Sequence, residues 1–223
     1  MTDATSTVAA FVQEKAGRIL RLPFALRAPL LEYPAVSRVQ AYWDRLRAGR
    51  AMPHRSEVDP REIGGALEST FIAEVVAPGV ARMRVAGMHL SDLLGMEARG
   101  MPLSIYMTGE ARAELAQAIR QVMQGARAQL PLRSDPGLGK PALDGLLVLM
   151  PLRDRAGQPT RILGVLETHG QIGRLPRRFR LAGPVTRMVD TPQTPRQDVS
   201  QATGVTPRPA GRPVLTVIDG ARA

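Results

Sequence analysis

A chain of 223 residues without cysteine must draw any chemistry from its three histidines, its carboxylates and its hydroxyls. His54, His89 and His169 lie far apart and have no paired carboxylates at ligand spacing, so they do not read as a metal site. Each reads as a satisfied or exposed imidazole. No serine, histidine and acid form a recognisable nucleophile set. Gly137-Leu138-Gly139-Lys140 is too short for a phosphate-cradling loop, and it runs into Pro141 instead of opening a helix. The lack of cysteine also removes disulfides, thiolate ligands and a cysteine nucleophile. An enzyme is therefore not expected. Methionine is abundant, ten in all, with Met83, Met88, Met96, Met101, Met107 and Met123 in the middle third of the chain. A flexible thioether suits an adaptable pocket wall and equally fills an irregular core.

The elements that hold these residues show in periodicity and punctuation. Pro34 to Ala48 carries Val36, Val39, Tyr42, Trp43 and Leu46 on one helical stripe and stops at Gly49. In Asp59-Pro60-Arg61-Glu62, Asp59 suits an N-cap, Pro60 the first helical position and Glu62 the capping-box position. Phe71 to Val76 and Ala81 to Val85 alternate. Phe71, Ala73 and Val75 oppose Ile72, Glu74 and Val76, while Met83 and Val85 oppose Arg82 and Arg84. The link Ala77-Pro78-Gly79-Val80 predicts an antiparallel hairpin. Gly87 opens an amphipathic stretch bearing Met88, Leu90, Leu93 and Leu94, punctuated by Gly95 and Gly100. Glu110 to Gln124 predicts a helix, capped by Thr108, that buries Ala111, Leu115, Ala118, Ile119, Val122 and Met123. Leu146 to Leu152 is almost wholly apolar, as in a central strand buried on both faces, and Ile162 to Thr168 predicts its neighbour across a polar turn.

Three parts follow. Residues 1–32 form an N-terminal helical segment with Val8, Phe11, Val12, Lys15, Ile19 and Leu22 at spacings of three and four, interrupted by Pro23 and Pro29. Residues 33–178 form the core-bearing domain. Residues 179–223 form a Pro/Arg-rich tail without periodicity, which predicts disorder, although Val214 to Ile218 is a short β-prone patch. The formal charge is +10. From Gln171 onward nine arginines face three aspartates, a net of 9 − 3 = +6, which leaves +4 on the body. A basic tail makes nucleic-acid or anionic-surface binding the alternative function, but charge so concentrated and so nearly all arginine does not favour nucleic acid. Glu14, Lys15, Arg18, Arg21 and Arg27 interrupt the apolar positions at the start, so neither a membrane span nor a secretion signal is expected, and a cytoplasmic address is.

Set in order, these pieces resemble the fifth PAS-domain family. The resemblance rests on Tyr42-Trp43, Leu46-Arg47, Gly49-Arg50, Met52-Pro53, Arg55, Val58-Asp59-Pro60, Val85-Ala86-Gly87, Leu93, Gly95, Gly100 and Pro151-Leu152, and spans roughly residues 33–178. It implies an α+β fold: an antiparallel sheet of about five strands, short helices on one face, and N-terminal helices outside the core. It also implies a non-catalytic sensory or regulatory module in bacterial signal transduction that binds a small ligand, a protein partner, or both. A histidine kinase and a second copy of the chain are the partners it suggests. Haem is not expected, because the long helix lacks histidine, and covalent flavin is not expected without cysteine. A small apolar ligand would meet Met83, Val85, His89, Leu93, Met101, Met107, Ile119 and Met123, with His89 as the polar group facing the cavity. Phe11, Ile19, Tyr42 and Trp43 are the interface residues expected.

Overall fold

The expected hairpin forms as β1 (Thr70–Ala77) and β2 (Val80–Ala86), and its register explains one failed expectation. Ile72 pairs with Val85 but Ala73 pairs with Met83, so Arg84 is an extra residue in β2. A bulge of this kind reverses the faces on either side of it. Met83 therefore points into the core while Val85 turns outward and is 51% exposed, so Val85 is no pocket residue. Met83 also joins the next segment, its amide donating to Met101 and its carbonyl accepting from Gly100 at 3.0 and 2.7 Å.

The structure is a computed structural model and describes residues 31–189. Phe11 and Ile19, the N-terminal helix and the tail beyond Val189 lie outside the described residues. The remaining strands are β3 (Ala126–Ser134), β4 (Leu143–Leu152), β5 (Arg161–His169), β6 (Arg180–Leu181) and β7 (Thr186–Val189). All pair antiparallel, in the order β2-β1-β5-β4-β3-β6, with β7 also on β3. The sheet thus runs on past the boundary expected at residue 178. β3 is a strand that periodicity did not suggest, with Pro131 at its middle. Pro131 lies between the stretches that pair with β7 and with β6, so its missing N–H leaves no ladder bond unmade there.

The helices are α1 (Pro34–Arg47), α2 (Pro60–Ile63), α3 (Met88–Leu94) and α4 (Gly109–Met123), with a 3-10 turn at Leu103–Tyr106 before α4. Asp59 caps α2, its Oδ1 accepting from the Arg61 amide at 2.9 Å. Glu62 does not complete a box there and instead reaches Arg45. The box forms one turn earlier, where Glu57 Oε1 accepts from the His54 amide at 3.1 Å.

One sheet serves two apolar layers. On its inner face α3 and α4 cover Phe71, Ala73, Met83, Leu147, Leu149, Ile162 and Leu166. On its outer face α1 covers Ile72, Val148, Met150, Leu163 and Val165. Tyr42 and Trp43 are almost fully buried in that outer layer, so they are packing residues of this chain rather than an exposed interface. Trp43 Nε1 donates to the Pro151 carbonyl at 3.0 Å, and Tyr42 Oη accepts from the Asp59 amide at 2.8 Å. The guanidinium groups of Arg47 and Arg127 lie over the indole at 5.4 and 5.3 Å from its centroid. Glu167 Oε2 accepts from the Val36 amide at 2.9 Å, which places a carboxylate at the positive end of α1.

Candidate functional site

The inner face of the sheet is where an enclosed ligand would sit. α4 presents Ala111, Leu115, Ala118, Ile119 and Val122 as its spacing predicts, and all five are buried. Met83, Leu93, Met107 and Ile119 meet in the same cluster, with Met101 and Met123 half-buried against it. Six of the eight expected wall residues are therefore brought together. Phe71, Leu103, Tyr106 and Phe179 are packed into the same volume. Tyr106 Oη donates to the Leu90 carbonyl at 2.8 Å, and burial pushes its phenol well above the ordinary tyrosine range.

His89 sits at the start of α3, half-buried, with Nε2 3.0 Å from Thr168 Oγ1 on β5. Burial holds its imidazole below the usual histidine range, which favours the neutral ring, and the Thr168 hydroxyl can serve that ring as donor or acceptor. His54 Nδ1 lies 3.3 Å from the Asp154 carbonyl, and His169 packs edge-on against Tyr33 at 4.7 Å. Among the described residues no three histidine or carboxylate groups converge as a metal site would require, and no helix is long and apolar enough to cross a membrane.

Clefts open at the surface around Thr108 and Arg180, around Arg55 and Arg161, and around Leu31 and Leu146. None is lined by the eight expected pocket residues. The first lies beside a residue that sequence reasoning missed. Arg177 is fully buried, and its guanidinium donates to Ser134 Oγ at 3.2 Å, the Ile172 carbonyl at 2.8 Å and the Pro141 carbonyl at 2.6 Å. All of these acceptors are neutral. Desolvation lowers the Arg177 pKa from its ordinary value, as expected for a buried cation without a carboxylate partner among the described residues. Nothing in the local sequence marks it, because its acceptors are mostly main-chain carbonyls far along the chain.

An antiparallel five-stranded core ordered β2-β1-β5-β4-β3, with short helices and one longer helix across its inner face, defines a PAS-like fold. The chain belongs to the PAS domain family: the PAS_5 model, described as a PAS domain, matches residues 31–167. Similar solved structures include the light-state Aureochrome1 LOV, a blue-light photoreceptor. It is 16% identical with a TM-score of 0.36, covering 48% of this chain and 84% of that one. Another comes from flavin-analogue work on the light-oxygen-voltage domain mechanism, at 16% identity, TM-score 0.39, and 50% and 84% coverage. RsLOV D109G is a third, at 18% identity, TM-score 0.37, and 63% and 71% coverage. No curated protein matches the chain.

Proposed function

We propose that this chain is a non-catalytic sensory or regulatory module of a cytoplasmic signalling system, acting by contact with a signalling protein such as a histidine kinase. The observation that carries the reading is the family match across residues 31–167. Contact with a protein is favoured over capture of an apolar ligand because the inner face is occupied by the chain's own side chains, Tyr106, Phe179 and Leu103 among them. The outer surface also supplies apolar contacts. Leu67, Val85 and Met88 are exposed at one corner, where Gly87 lies against the carbonyls of Leu67 and Glu68. Signalling would then follow from a partner that binds two conformations of the module unequally.

The test compares the native and denatured masses of the purified full chain, with an organic-solvent extract of the folded protein run beside them. A folded species with the bare chain mass, as monomer or dimer, is the expected result. An apolar compound recovered in the extract and seen as added native mass would overturn the filled-core reading and make the chain a small-molecule sensor.

A further inference from the structure

We propose that the cleft between the start of α4, the end of β3 and the segment around Pro176 binds a small molecule bearing two or more phosphate groups. The cleft measures about 400 Å³ and is lined by Thr108, Arg133, Ser134, Asp135, Lys140, Pro176, Arg178 and Arg180. Four of these are cations and one is an acid. Two of the cations are already neutralised: Arg133 Nη1 pairs with Asp144 at 2.7 Å, and Arg180 forks onto both oxygens of Asp135 at 2.7 and 2.9 Å. Lys140 and Arg178 pair with no carboxylate among the described residues. Lys140 Nζ donates instead to the Pro176 carbonyl at 3.1 Å.

A third cation without a carboxylate partner among the described residues is Arg177, which lies in the chain between the lining residues Pro176 and Arg178. Arg177 hydrogen-bonds to Ser134, which lines the cleft, and among the described residues its guanidinium meets only neutral acceptors. A buried cation without a counter-charge is costly. A polyanion in the adjoining cleft would supply the charge that Arg177, Arg178 and Lys140 lack.

The Gly137–Lys140 segment that is no phosphate loop by sequence finds its use here. Gly137 and Lys140 exchange both main-chain hydrogen bonds at 2.8 and 2.9 Å, a tight turn that sets Lys140 at the cleft. The start of α4 adds to the field. Thr108 is its N-cap residue but makes no side-chain cap bond, and the space beside Gly109 is open. Glu110, the one acid of that first turn, does not line the cleft. A concave site of this size with convergent cations suits a nucleoside diphosphate or a comparable phosphorylated metabolite.

The test is calorimetric titration of the full chain with inorganic pyrophosphate and with ADP, at ionic strength held constant with chloride. It reads binding to the pure protein and does not depend on the signalling role. Saturable binding is expected, weakened by about tenfold or more in the Lys140→Ala/Arg178→Gln double variant. Arg55→Gln/Arg155→Gln, in the other basic cleft, should leave it unchanged. No saturable heat at roughly millimolar probe would overturn the proposal. So would equal affinity in the two double variants, or binding to phosphatidic acid vesicles without binding to pyrophosphate.

Discussion

Any side chain at position 164 would begin 2.0 Å from Cζ of the Phe71 ring, which lies over Gly164 from the neighbouring strand where the two are register partners. Gly164 is therefore a packing requirement, and Gly164→Ala should lower unfolding free energy by about 2–3 kcal/mol in urea titration. A loss under about 0.5 kcal/mol would mean the ring moves aside freely. Arg177 presents the opposite problem, since removing it leaves carbonyls of Ile172 and Pro141 without their donor. Arg177→Leu should cost about 2–4 kcal/mol by the same measurement, as buried acceptors lose their bonds. A surface pair gives the pH signature. The Arg50 guanidinium beside Glu57 holds that carboxyl at about 2, against an ordinary 4.5. A depressed carboxyl stabilises above its unfolded pKa and loses that contribution as pH falls through the folded value, here from about 4.5 to about 2. In Arg50→Ala the Glu57 carboxyl should titrate near its ordinary value by NMR, and this loss should shrink. An unchanged Glu57 titration would place the cause elsewhere.

The bulge in β2 shows what alternation can and cannot reveal about an element. Val85 and Met83 are two apart and read as one face, yet the extra Arg84 separates them. Val85→Lys should change stability by less than about 0.5 kcal/mol, whereas Met83→Ala should cost about 2–5 kcal/mol. Equal costs would mean that the strand is regular. The same limits explain which elements were legible. The buried face of α4 is legible because Ala111, Leu115, Ala118, Ile119 and Val122 obey one period over four turns, whereas Met123 at its end is only half-buried and Thr108 makes no side-chain cap bond. β1 is legible from its alternation and from the short link that makes β2 its partner. β3 was hidden because Ala126, Arg127, Ala128 and Gln129 carry little hydrophobic contrast and Pro131 reads as a breaker. Only the gap between β6 and β7 makes that proline harmless. β6 and β7 were hidden in a Pro-rich stretch, since a strand of two to four residues is specified by the edge it joins. At the candidate site, burial of Met83, Leu93, Met107 and Ile119 was legible, but filling is not a local property. It depends on Tyr106 and Phe179, the latter brought in by main-chain bonds to Tyr106 and Thr108 at 2.7 and 2.9 Å.

For the molecule as a whole, the decisive fact is that β4 and β5 belong to both apolar layers. Leu147, Leu149, Ile162 and Leu166 face inward while Val148, Met150, Leu163 and Val165 face outward, residue by residue along the same two strands. Neither layer can lose these strands without exposing the other, so the two should unfold together. Trp43 makes this testable, because the single tryptophan of the chain sits fully buried in the outer layer and reports on it alone, while far-UV circular dichroism reads the sheet together with α1 and α4. In urea the Trp43 emission shift and the loss of dichroism should share one midpoint and one slope, as two-state unfolding requires. Pro151 and Glu167 reinforce the coupling, since both strands hydrogen-bond directly to α1. An emission shift completed at lower urea than the dichroic change would show α1 peeling from an intact sheet. That outcome would expose the outer faces of β4 and β5 at little cost, and would move the proposed protein contact to this face from the corner at Val85.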